Sequence, residues 1–230
     1  MIGEEAARER GAQHLQEILN LAPNVNFAAG TSRARYFQIR GIGDRSQLVE
    51  PLNPSVGLVL DDVDFSGIGS ISTQFDIQQV EVLRGPQGTL HGANALAGLI
   101  NIRSNAPSET FEHSVEAGVG DYDTWSIGAI SSGPISESLR YRLAVQQFES
   151  NGYTDNKFLN RDDTESRDEL TLRGKLRWLT NDTHTVDLNL NYIDINNGYD
   201  DIVTYDDAFV ALSRQNQHEK LLSVVNRYEG

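Results

Sequence analysis

A chain of 230 residues is long enough for one large domain or two modest ones, each with a core of its own. Its 33 acidic against 19 basic residues give a formal charge of −14, a field that repels nucleic acid wherever no basic patch is segregated. Cysteine is absent, which excludes a disulfide framework, a thiolate metal site and a cysteine nucleophile, and no stretch reaches the ~18 consecutive apolar residues of a membrane-spanning helix.

That last exclusion does not reach a membrane barrel, whose strands alternate apolar and polar residues and give a weak hydropathy signal. The opening Met1-Ile2-Gly3-Glu4-Glu5 carries acid where a signal peptide carries base, and it has no apolar run. Either the protein is cytoplasmic or its true N-terminus lies upstream; the second is the expectation adopted.

Leu15, Ile18, Leu19 and Ala22 recur at helical spacing, and Pro23 stops the pattern. Short runs of strand length follow at Tyr36 to Arg40, Val56 to Leu60, Val80 to Leu83 and Leu99 to Ile102, most of them bounded by Gly, Pro or Asp. One helix with several short strands in about a hundred residues predicts a small α+β domain. Composition changes near residue 108.

Beyond it the alternation is longer. Leu170, Leu172, Gly174, Leu176 and Trp178 interleave with Glu169, Thr171, Arg173, Lys175 and Arg177. Val186, Leu188, Leu190 and Tyr192 interleave with Thr185, Asp187, Asn189 and Asn191, and Leu139 to Val145 repeats the pattern. Weaker strands are expected at Phe111 to Val119 and Thr124 to Ile130. Such alternation puts one face in an apolar medium and the other in a polar one. A soluble sandwich and a membrane barrel both meet that description. Tight turns at Ser132 to Ser138 and Thr180 to Thr183, against long polar loops at Ser150 to Arg167 and from Asn196 onward, fit a barrel. So do Tyr141 and Trp178 near one rim, with Trp125 and Tyr192 near the other.

The run Val80-Glu81-Val82-Leu83-Arg84-Gly85-Pro86-Gln87-Gly88-Thr89-Leu90-His91-Gly92, continued to Gly98-Leu99-Ile100-Asn101-Ile102, resembles the central motif of TonB-dependent receptor plug domains. Phe37 to Gly43 resembles that family's first strand ending in Arg-Gly, Gly57 to Val63 its hydrophobic-Asp-Gly-Val strand end, and Leu15 to Val25 its opening helix and turn. Asp62 stands where the family has Gly, Ala97 replaces the first of a Gly pair, and His91 takes an aromatic position.

The resemblance implies a plug over residues 1–108, followed by the N-terminal portion of an outer-membrane β-barrel over 109–230, about five strands of the ~22-stranded class. It further implies TonB-energised uptake of a ferric siderophore or similar small ligand, with cobalamin or a saccharide as alternatives. The partners would be the TonB protein and outer-membrane lipid, in a Gram-negative bacterium. By the same resemblance Arg40, Gly41, Arg84, Gly85, Pro86, Gly88, Gly92, Gly98 and Asn101 form the plug motif, and Arg45, Gln47, Phe65 and Ser66 sit on substrate-facing loops. Arg84, with Arg40, is expected to help lock the plug through acidic residues of a barrel wall.

A barrel wide enough for such a plug needs many more strands than this length supplies, so the chain is expected to be part of a longer protein. The competing class is a soluble β-rich binding or adhesion protein. A sensory receptor would need a further N-terminal domain.

Catalytic patterns do not occur. No Lys lies between Arg84 and Arg103 to complete a phosphate-binding loop, and Gly41-Ile42-Gly43 lacks the third glycine of a dinucleotide fingerprint. The histidines are scattered without His-Glu-x-x-His, Gly-x-Ser-x-Gly is missing, and the paired aspartates lack calcium-loop spacing. No enzyme activity, cofactor or protein-bound metal is expected, and any iron would arrive chelated.

Overall fold

The computed structural model describes residues 2–29, 32–45, 54–68, 73–88, 94–154, 156, 160–181, 183–200 and 214–229, with side chains omitted for 199–200 and for the last segment. The chain divides into two compact units, Met1–Asn105 and Ala106–Gly230.

The first unit begins with β1 (Ile2–Gly3) and α1 (Glu4–Glu9), neither expected from the sequence. Helix α1 buries no residue and has Glu4 and Glu5 in its first turn and Arg8 in its last, the arrangement that suits the helix dipole. Helix α2 (Leu15–Leu19) buries Leu15, Ile18 and Leu19, as the spacing requires. Glu17 reaches back to accept the amides of Gln13 at 2.7 Å and His14 at 3.2 Å, so the helix start is capped. It ends before Ala22, because Leu21 and Ala22 close tighter turns onto the carbonyls of Ile18 and Leu19.

Strands β2 (Val25–Ala29), β3 (Ala34–Ile39) and β4 (Ile42–Gly43) form a three-stranded antiparallel sheet. Strands β5 (Val56–Leu60), β6 (Val63–Asp64), β7 (Ile77–Arg84) and β8 (Gly98–Ser104) join β1 in a second sheet of order β1-β7-β8-β5-β6. Strand β5 runs parallel to β8 and is buried along its whole length. This explains why Val56 to Leu60 reads as a continuous apolar run and not an alternating one. Leu58, Leu60, Ile100 and Ile102 are buried on one face of this sheet, and Val59, Ala95 and Leu99 cluster on the other with Leu83 packed against them. Gly98 is required here. A Cβ on it would lie 2.5 Å from the Leu83 carbonyl oxygen and 2.6 Å from Ile39 Cδ1.

The second unit is one antiparallel meander of six strands: β9 (Glu112–Gly120), β10 (Thr124–Pro134), β11 (Leu139–Ser150), β12 (Arg167–Asn181), β13 (His184–Asp200) and β14 (Arg214–Glu229). The expected loop from Asn196 onward is corrected: β13 continues to Asp200 and pairs with β14, making six strands where about five were expected. Polar residues at Asn196, Asn197 and Asp200 hid that extension, because the alternation of Val186 to Tyr192 does not continue through them. Tyr141 and Trp178 lie at the short-turn end and Trp125 at the other. Tyr192 does not lie at a rim; it pairs with Leu172 midway along β13.

Burial on this sheet is the reverse of a soluble protein's. Thr171, Arg173, Asn189 and Asn191 are buried, whereas Leu143, Leu176 and Trp178 stand exposed. The β11–β12 loop is itself ordered where described. The Asn156–Arg161 bridge keeps the register of the strands below it, so the hairpin continues beyond Ser150 and Arg167. Its returning limb packs on β13, where Gly198 donates its amide to the Ser166 carbonyl at 2.7 Å.

Candidate functional site

The two Arg-Gly pairs are hairpin and strand corners that converge on one turn. Arg40 and Gly41 form the two-residue loop between β3 and β4, with φ of +54° and +81°, the left-handed conformation such a loop demands. The Arg40 amide donates to the Asn24 carbonyl at 2.8 Å. At the end of β7 the Arg84 guanidinium donates through Nη2 to the Pro23 carbonyl at 3.0 Å. The segment Pro23-Asn24, read from sequence as a helix stop and turn, therefore receives both corners. Asn24 itself has φ of +60°, a conformation asparagine tolerates better than most residues.

Gly85 follows with φ of +94°, and its amide donates to the Ala97 carbonyl at 3.0 Å. Gln87 donates in the same way to Ala95 at 2.8 Å, and Ala97 to Ser55 at 2.8 Å. The stem of the loop after Arg84 is thus pinned to the entry of β5 and the start of β8. Pro86 and Gly88 are exposed on that stem, and a Cβ on Gly88 would meet open space. Gly92 and His91 lie outside the described residues. Asn101 is buried in the middle of β8 and donates to Glu81 Oε2 across the β7–β8 pair at 3.3 Å.

Of the loop residues expected to face a substrate, Arg45 is exposed just beyond β4, where Gln38 Nε2 donates to the Asp44 carbonyl at 2.6 Å. Gln47 lies outside the described residues. Ser66 is half-buried and its Oγ accepts the Leu58 amide at 3.0 Å, leaving the hydroxyl proton to donate elsewhere. Phe65 is corrected. It is 4% exposed and its amide is bonded to Leu58, so its ring belongs to the core and offers no face to a ligand. A bulky apolar residue beside a two-residue hairpin folds inward because that removes its surface from water.

Sequence reasoning missed an acidic set at the other end of β5. Asp61 and Asp62 form the loop between β5 and β6 with φ of +47° and +68°. Asp62 thus holds the conformation that the usual glycine would take, which asparate-type side chains can do. Asp61 is buried and accepts the Ser104 amide at 3.0 Å and its hydroxyl at 2.6 Å. Asp64 Oδ2 accepts Asn94 Nδ2 at 2.7 Å. The Asp-Asp-Val-Asp run was the available signal. Among the described residues no group of three or more His, Cys, Asp or Glu could hold a metal ion. In the β11–β12 loop the hydrogen bond that Arg161 donates to the Asp163 carboxylate holds the guanidinium pKa above its ordinary value.

Two small sheets with Arg-Gly corners, followed by long strands that expose their apolar side, are the fold of a plug and of barrel-wall strands. The sequence profile of the TonB-dependent receptor plug domain matches residues 1–99. The pesticin receptor of Yersinia pestis is 32% identical over 134 residues, 58% of this chain and 20% of that protein. The vitamin B12 transporter BtuB of Vibrio vulnificus is 28% identical over 175 residues, 75% of this chain and 28% of that protein. The crystal structure of the ferric yersiniabactin uptake receptor FyuA from Yersinia pestis superposes with a TM-score of 0.77 at 22% identity, covering 99% of this chain and 36% of that one. The ferripyoverdine receptor of Pseudomonas aeruginosa gives 0.71 at 18%, covering 96% and 30%.

The chain thus matches the plug domain of TonB-dependent receptors over residues 1–99, and the relatives named above are receptors and transporters. It spans between a fifth and a third of the length of the two curated relatives above.

Proposed function

We propose that the full protein imports a scarce nutrient across the outer membrane with energy delivered through the TonB protein, and that a ferric siderophore is its substrate. The observation that carries the reading is the inverted sheet of the second unit in a chain whose first unit matches the plug domain. Polar side chains line one face and exposed leucine, valine and tryptophan the other, as a wall between a watery lumen and lipid requires. Relatives whose names specify ferric siderophores support the iron substrate. Vitamin B12 transporters that match a larger share of the chain support cobalamin as the second reading.

The residues proposed to touch the ligand are Arg45 and Ser66 with Gln47, which supply one cation and two hydrogen-bonding groups. Arg40, Gly41, Arg84, Gly85, Pro86, Gly88, Gly92, Gly98 and Asn101 are proposed to shape and gate the plug. The test is uptake of ⁵⁵Fe-labelled siderophores and of ⁵⁷Co-labelled cobalamin by cells carrying or lacking the gene, with and without TonB. TonB-dependent iron uptake lost on deletion is expected. Cobalamin uptake alone would establish the second reading, and no TonB-dependent uptake of either would remove both.

A further inference from the structure

We propose that His113, Ser131 and Tyr141 form a site on the apolar face of the second unit that binds the phosphate of a phospholipid headgroup. That this face meets lipid is the reading given above, and the site depends on it. The strand registers pair Ser131 with His113 on one side and with Leu143 on the other, and they pair Gly133 with Tyr141. These residues therefore share the face that carries Val115, Val145, Leu176 and Trp178.

The three polar side chains are joined in one hydrogen-bonded chain. Tyr141 Oη lies 2.8 Å from Ser131 Oγ, and His113 Nδ1 lies 3.1 Å from the same oxygen. A neutral imidazole carries one N–H and each hydroxyl one O–H, so three protons serve two contacts. In every tautomer and hydroxyl orientation one proton is left over, with no acceptor among the described residues. In water such a proton bonds to solvent. On a lipid-facing wall it needs an oxygen, and ionised phosphate oxygens are the strongest acceptors that a phospholipid offers. A protonated imidazole adds a second donor and a positive charge.

The surroundings hold the chain in place. Phe111 stacks on His113 with ring centroids 6.3 Å apart and planes at 16°, which orients the imidazole. A Cβ on Gly133 would lie 2.5 Å from Phe111 Cδ1, so glycine is what lets that ring lie over β10. The height along the strand also agrees. Ser131 lies three residues, about 10 Å, from the end of β10 at the short turn. Tyr141 and Trp178 mark the same end, and the aromatic girdles of a barrel sit at headgroup level. At the loop end of this face the polar groups bond to one another. Gln147 Nε2 donates to Asp168 Oδ1 at 2.7 Å and to Glu149 Oε1 at 3.4 Å, and those carboxylates repel a phosphate.

The test is native mass spectrometry of the full-length receptor, released from micelles holding phosphatidylglycerol and a galactosyl diacylglycerol with the same acyl chains. The parent is expected to retain the phosphate lipid in preference to the galactolipid. That ratio is expected to fall about threefold or more in His113→Phe and in Ser131→Ala. It is expected to stay at the parent value in Ser131→Thr, which keeps the hydroxyl. No preference in the parent, or an equal fall in Ser131→Thr, would overturn the site. An unchanged ratio in His113→Phe and Ser131→Ala would overturn it too, and would give the spare proton to an acceptor within the barrel. A nitroxide on Leu143→Cys separates the site from the reading beneath it. If nickel chelates reach that label better than oxygen does, the face meets water and both fail. If oxygen reaches it better and the lipid ratio is unchanged, the site alone fails.

Discussion

Ser104 gives both its amide and its hydroxyl to the carboxylate of Asp61, at 3.0 and 2.6 Å, and so fastens the last residue of β8 to the hairpin that leaves β5. The two residues are 43 positions apart in sequence and both are buried. Asp61 also donates its own amide to the Ile102 carbonyl at 3.0 Å, which extends the parallel β5–β8 pairing by one link.

Asp61→Ala strands both Ser104 donors in a site that water does not reach. Losing the partners of buried polar groups costs about 1–3 kcal/mol. The expected outcome is a plug less stable by about that amount, with faster amide exchange at Ser104, measured by hydrogen–deuterium exchange on the full-length receptor. Exchange at Ser104 equal to the parent's would show that the carboxylate does not hold this end of the sheet.

Asp62→Gly acts in the other direction. Asp62 is exposed and held at φ of +68°, where a side chain crowds the following carbonyl by roughly 1–2 kcal/mol and glycine does not. Part of that gain is returned as the extra unfolded-chain entropy of glycine. A net stabilisation of about 0.5–1 kcal/mol is expected, read from the urea midpoint of plug unfolding. A lower midpoint would mean that the Asp62 side chain has a bonding role that outweighs its strain.

Leu143→Arg tests which face of the second unit meets lipid. Leu143 is 46% exposed in the apolar rows of β11, between Tyr141 and Val145. A charge placed there should cost about 2–4 kcal/mol of folding into bilayers, if the position lies near the midplane. Leu143→Ala should cost less. The measurement is denaturant-dependent folding of the full-length protein into lipid vesicles, and equal stabilities for the arginine and alanine variants would place Leu143 in water.

Arg84→Ala separates two roles of one guanidinium. Its bond to the Pro23 carbonyl is exposed, so its loss should shift plug stability by no more than about 1 kcal/mol. If Arg84 also locks the plug, outer-membrane permeability to a large antibiotic should rise well beyond what that small loss explains. Permeability and transport equal to the parent's would leave Arg84 with the Pro23 contact as its described role.

Much of this protein was legible in one dimension. Glycine at a close approach, a proline after Arg84, the continuous apolar run of β5 and the period-two strands of the second unit are all local patterns. Local patterns fix backbone conformation because sterics and side-chain direction act within a few residues. They therefore named helix α2, most of the strands and the motif, and missed α1.

Tertiary structure decided which of those pieces touch. It put Phe65 in the core, with its amide bonded to the Leu58 carbonyl of β5. It carried β13 through a polar stretch to Asp200, because β14 supplies the missing ladder of hydrogen bonds. It brought Arg40 and Arg84 to the one turn at Pro23-Asn24, and it set Arg140 against Arg177 through strand register. Each of these depends on pairing between distant segments, and hydrogen-bond register and mutual burial are properties of the pair that neither segment carries alone.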